Sequence, residues 1–121
     1  MANVLDKIIG DKKESLKNIK KVNSLESLEK RIKSLNNFLN FKEVITNNKG
    51  ASLITEIKKA SPSAGELVKD FNHLNIAKMY VDNGATCLSV LTEEKHFLGK
   101  LDYIRDIKKK FKIPVLAKDF F

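Results

Sequence analysis

The chain has 121 residues and a formal net charge of +8, with 42% hydrophobic and 31% charged residues. That suits one ordinary domain or part of a larger one. No apolar run approaches the ~20 residues of a membrane span, Met1–Lys7 shows no secretory pattern, and the one cysteine, Cys87, excludes an intrachain disulfide framework and suits a reducing cytoplasm.

The charge invites a nucleic-acid reading. Yet the excess is lysine, with two arginines only, Arg31 and Arg105. Arginine is the usual base-reading side chain, and here the lysines mix with Asp and Glu along the chain. A lysine-rich solvated surface is the plainer reading, and an anionic small-molecule substrate fits either view.

In chain order, residues 3–20 read as an amphipathic helix. Asn3 can cap it, and Val4, Leu5, Ile8 and Ile9 fall on one face. A second helix starts near Asn23 or Ser24, with Glu26 placed to close a capping box with Asn23. Leu25, Leu28, Ile32, Leu35 and Phe38 are its predicted buried stripe. Asn47-Asn48-Lys49-Gly50 reads as a turn. Residues 1–50 are therefore expected to be an all-helical N-terminal extension.

The pattern changes in residues 51–121. Ser52–Ile57 is a predicted apolar strand, followed by the loop Ser61-Pro62-Ser63-Ala64-Gly65. Asn75–Asp82 reads as a helix ended by Gly84. Cys87–Leu91 is a second apolar strand, Lys100–Lys112 a helix, and Val115–Ala117 a third strand after Pro114. Short apolar strands alternating with helices describe a βαβαβ order with a parallel sheet buried on both faces. No Gly-x-Gly-x-x-Gly follows the first strand, which argues against a dinucleotide-binding sheet.

Polar chemistry gathers where each strand ends: Glu56 and Lys58, then Thr92, Glu93 and Glu94, then Lys118 and Asp119. Strand residues two apart share a face, so Glu56 and Lys58 project together. A (β/α)8 barrel places its active site at these carboxyl ends. By spacing alone the Glu56–Lys58 pair also fits a surface ion pair on an edge strand, worth about 0–1 kcal/mol. Cys87 reads as a small buried hydrophobe. His96 reads as a solvent-facing loop residue with no second histidine for a metal, and His73, before its helix, looks equally ordinary.

Four segments carry a family resemblance: Leu5–Lys13, Ile54–Ser63 with its Lys-x-x-Ser-Pro-Ser element, Leu88–Gly99 with Thr92-Glu93-Glu94-Lys95-His96-Phe97, and Pro114–Phe120. In order and spacing the chain resembles the N-terminal part of indole-3-glycerol phosphate synthase. The resemblance implies a (β/α)8 barrel, here its first three strands behind the helical extension. It implies a lyase of tryptophan biosynthesis that closes a ring on an anilino-deoxyribulose phosphate with loss of CO2 and water, using no metal and no organic cofactor. Lys118 would be the general acid that protonates the sugar's carbonyl oxygen. Lys58 would sit on the substrate's anionic or leaving oxygen, oriented by Glu56. Ser61 would help hold the substrate, and Phe97 and Phe120 would wall the pocket for the anthranilate ring, although both also fit core packing.

Ala117 departs from the family, where a larger residue often precedes the lysine. A barrel takes about 250 residues, so a general base, an asparagine and the phosphate cradle are expected from later strands, and this chain alone is expected to be inactive. Its open sheet edges are expected to self-associate. Two other classes stay in view. A phosphoribosylanthranilate isomerase would lack the helical extension and the Glu-x-Lys-x-x-Ser-Pro-Ser element. A non-catalytic basic module would bind duplexes in a salt-dependent way.

Overall fold

The computed structural model describes residues 3–121. Their order is α1 (Val4–Val22), α2 (Leu25–Lys33), α3 (Phe41–Thr46), β1 (Ile54–Ile57), β2 (Ala60–Ser61), β3 (Gly65–Glu66), α4 (His73–Asp82), β4 (Cys87–Leu91), α5 (Leu101–Lys110) and β5 (Val115–Lys118). The chain divides into two compact units. One runs up to Phe38 and includes Phe120; the other is Leu39–Asp119 with Phe121.

In the first unit, α1 begins as the sequence indicates. The Asn3 side chain accepts from the Asp6 N–H at 2.8 Å, and Asp6 accepts from the Asn3 N–H at 3.3 Å. Two orphan donors are thereby satisfied reciprocally. The second helix takes the Ser24 start of the two expected, and the expected Asn23–Glu26 box is not formed. Asn23 is occupied in ending α1, its N–H donating to Ile19 O. Ser24 caps α2, accepting from the Ser27 N–H at 3.2 Å. The predicted buried stripe is also corrected. Leu25, Leu28, Ile32, Leu35 and Phe38 are all exposed, and of the α1 face only Ile8 is buried, at 3%. Two helices have no second layer of their own to cover such a stripe.

In the second unit lies α3, a helix that the sequence reading passed over. Asn40 caps it by accepting from the Glu43 N–H at 3.1 Å. The main sheet is parallel with order β1-β4-β5. Its register places Glu56 opposite Ser89, and Leu91 opposite Lys118. Residues two apart share a face, so Thr55, Ile57, Leu88, Val90, Val115 and Ala117 point one way. On that face Ile57, Leu88 and Val90 form one core with Ala77 of α4, Ile107 of α5 and Ile113. Burying each large aliphatic side chain there contributes roughly 1.5–3 kcal/mol.

The opposite face carries Ile54, Glu56, Cys87, Ser89, Leu91, Leu116 and Lys118. On it the three β4 residues are buried, but Ile54 and Leu116 of the outer strands are about half exposed. Burial on both faces therefore holds for β4 alone. Both outer strands present an unpaired edge in the described sheet.

Helix α4 starts at His73 rather than Asn75, because the Asn72 side chain accepts from both the Leu74 and Asn75 N–H groups. It ends at Asp82 with Asn83 as its C-cap, and Gly84 follows with a φ of 87° that suits glycine. His73 is therefore not an ordinary residue ahead of the helix. It stacks on Tyr103 with centroids 4.4 Å apart, and its Nε2 lies 3.0 Å from Asp106 Oδ2. Helix α5 carries Asp102 in its first turn and Lys108, Lys109 and Lys110 in its last, complementing its dipole. Among the described residues no helix is long and apolar enough to cross a membrane.

Candidate active site

The carboxyl ends of the three parallel strands carry the candidate groups. Glu56 is the third residue of β1, and Lys58 follows the strand's last residue. Glu56 Oε1 stands 3.4 Å from Lys58 Nζ, with each side chain about one-third exposed. The pair thus forms as the spacing indicates. The other carboxylate oxygen, Oε2, accepts from Ser89 Oγ at 3.1 Å. The backbone carbonyl of Glu56 accepts from the Tyr80 hydroxyl of α4 at 3.0 Å. Three elements therefore hold one acidic residue.

Lys118 ends β5 and is exposed. Extending the β1–β4 register by one residue brings Lys58 level with Leu91, the residue opposite Lys118. On that extended register the two lysines would stand level, with backbones about 10 Å apart across two strand spacings. The carbonyl of Lys118 accepts from the Thr92 N–H at 3.0 Å, and Thr92 Oγ1 donates to Asp119 Oδ2 at 2.8 Å. Buried Thr92 so ties down the end of β5.

The loop after β4 is organised by Glu93. Its side chain is buried and accepts from the Lys95, His96 and Phe97 N–H groups at 3.1, 2.7 and 3.0 Å. This carboxylate is used in shaping the loop that presents Phe97. His96 is half-buried in that loop rather than solvent-facing. Leu98 has a φ of 52°, and a Cβ on Gly99 would collide with the Leu91 carbonyl. Glycine is therefore required where the loop returns against β4.

The Ser-Pro-Ser loop is more ordered than a plain connection. Ser61 and Gly65 pair in the two-residue strands β2 and β3. Ser61 Oγ accepts from the Ala64 N–H at 3.2 Å, and Lys59 Nζ lies 3.8 Å from Glu66 Oε1. Phe97 and Phe120 are half-buried. Phe120 groups with the first compact unit. Burial pushes the Cys87 thiol up from its ordinary 9.0, which disfavours the reactive thiolate.

An open depression of about 720 Å³ lies at the other end of the sheet, lined by Glu43, Asn47, Asn48 and Thr86 among others. In a parallel α/β sheet the amino ends serve stability and the carboxyl ends serve chemistry, so the cluster around Glu56 is the better candidate. Among the described residues, no group of three or more His, Cys, Asp or Glu side chains is arranged to hold a metal ion.

Sequence reasoning missed Ser89, Thr92 as a tie to β5, and Tyr80. Ser89 was hidden inside an otherwise apolar strand. The one available signal was a polar residue in a strand that the pattern buries.

Comparison with known proteins points to one family. A family model described as indole-3-glycerol phosphate synthase matches residues 5–121. The chain is 42% identical over 117 residues to the indole-3-glycerol phosphate synthase of Desulforamulus reducens, covering 97% of this chain and 44% of that protein. It is 44% identical over 117 residues to the protein of that name from Alkaliphilus metalliredigens, covering 97% and 45%. Over 81 residues it is 51% identical to the one from Legionella pneumophila, covering 67% and 31%. The chain spans less than half the length of these curated relatives.

Proposed function

The chain belongs to the indole-3-glycerol phosphate synthase family, and from that premise we propose that it carries the proton-donating half of such an enzyme's site. The reaction proposed is the decarboxylating ring closure of 1-(2-carboxyphenylamino)-1-deoxyribulose 5-phosphate to indole-3-glycerol phosphate, a carbon–carbon lyase step of tryptophan biosynthesis in the cytoplasm. The fold proposed is a (β/α)8 barrel whose first three strands are β1, β4 and β5. The free edges of β1 and β5 then pair with further strands of the barrel. The general base and phosphate cradle come from those later strands, so the 121 residues alone are inactive and self-associate through the same edges. The chemistry calls for no metal and no organic cofactor.

Lys118 is the general acid. It donates a proton to the sugar carbonyl oxygen, so that the aromatic ring carbon can attack the carbonyl carbon. CO2 leaves from the ring carbon that bore the carboxylate, and water leaves as the indole forms. Lys58 sits on the substrate's anionic or departing oxygen, with its ammonium aimed by Glu56. Ser61 helps to hold the substrate, and Phe97 and Phe120 face the anthranilate ring. The observation that carries this reading is the Glu56–Lys58 pair at the end of β1 and Lys118 at the end of β5, both at the carboxyl ends of parallel strands.

The test is Lys118→Ala in the protein as its cell makes it. Turnover should fall by about 10²–10⁴-fold, the range for losing a positioned acid. A near-normal rate would remove Lys118 from the role.

A further inference from the structure

We propose that Ser89 is a positioning residue for the Glu56–Lys58 pair. The proposal rests on the role given above to that pair. Ser89 sits at the middle of β4, the most buried strand, and is itself 5% exposed. The register sets it directly across from Glu56. Its Oγ donates to Glu56 Oε2 at 3.1 Å while Oε1 faces Lys58 Nζ at 3.4 Å. The two carboxylate oxygens are thus divided between a buried hydroxyl and a partly exposed ammonium.

This division has a physical consequence. An ion pair one-third exposed to water holds its partners weakly and costs side-chain entropy to align. A hydroxyl on a packed central strand has little freedom to lose, and hydrogen bonds to charged groups are stronger than neutral ones. Ser89 therefore sets the rotation of the Glu56 carboxylate plane. The plane in turn sets where Oε1 holds the Lys58 ammonium. Misplacing a catalytic group by a fraction of an ångström costs rate more than binding. In this otherwise apolar strand the Ser89 hydroxyl is spent on the Glu56 carboxylate, and an alanine there would take that donor from Oε2.

The experiment is a double-mutant cycle on the protein as its cell makes it, with Ser89→Ala, Glu56→Ala and both together. The ring-closure rate is read as kcat and KM separately. Ser89→Ala should lower kcat about tenfold, the size of a lost hydrogen bond to a charged group, with KM changed less. In the Glu56→Ala background the same substitution should have no further effect, because the group it acts through is gone. Equal losses in both backgrounds would overturn the proposal and make Ser89 a structural residue. No loss in either would overturn it too. If Glu56→Ala and Lys58→Ala themselves leave the rate unchanged, the functional reading fails, and the positioning role falls with it. Should Ser89→Ala fail to fold, Ser89→Cys, which keeps a weaker donor, goes through the same cycle. An intermediate kcat that loses its dependence on Glu56 supports the proposal, and a uniform loss overturns it.

Discussion

The two compact units share one sequence device and use it differently. Both carry apolar residues at helical spacing. In α4 and α5 of the sheet unit, that spacing delivers Ala77 and Ile107 into a core with Ile57, Leu88 and Val90, each almost fully buried. In α1 and α2 of the helical unit, it delivers Ile8 alone to a buried position, and the α2 stripe remains in solvent. The difference teaches that periodicity specifies a helix and one apolar face, while burial needs a second layer to receive that face. A parallel sheet supplies such a layer to helices that cross over it, and two helices by themselves do not.

The sharpest way to break this comparison is Ile107→Ala. A fully enclosed isoleucine leaves a cavity, and stability should fall by about 2–5 kcal/mol in a denaturant titration. A milder substitution tests the helical unit through its backbone instead. Ser24→Ala removes the α2 cap and should cost about 1 kcal/mol, read as faster hydrogen exchange of the α2 amides with little change at the sheet. The smallest effect belongs to Ile32→Ala. An exposed stripe residue should change stability by no more than about 0.5 kcal/mol in the same titration. A loss as large as that of Ile107→Ala would mean that the α2 stripe is covered in solution, and the contrast between the units would dissolve.

Much of the fold was legible in the residues themselves. The three apolar strands, the two helices between them and the Gly84 stop all lie close to where the pattern puts them, because strand alternation, helix periodicity and glycine terminators act over a few residues. Helix α3 was equally legible in principle, since Asn40 and Glu43 stand at capping distance. At six residues it was too short for periodicity to reveal. The Asn23 cap failed for a competitive reason: one residue closed α1 and could not also open α2.

The candidate site was legible in part. Glu56 and Lys58 pair as their spacing requires, and Lys118 closes its strand. Glu93 read as another polar group at a strand end, but its carboxylate is taken up by three backbone N–H groups. Ser61 read as part of a loop, and it lies in a small hairpin.

By itself the sequence determined the Asn3 cap, the parallel βαβαβ pattern and the gathering of acid and lysines at the strand ends. These are local properties, settled by dihedral preferences and by which side chains recur on one face. Only the tertiary structure decided that Ser89 faces Glu56, 33 residues away, that Thr92 reaches Asp119, and which apolar faces are buried. Register and burial belong to contacts between distant segments. A one-residue slip of β1 against β4 would leave every local signal unchanged and still separate the serine from the carboxylate.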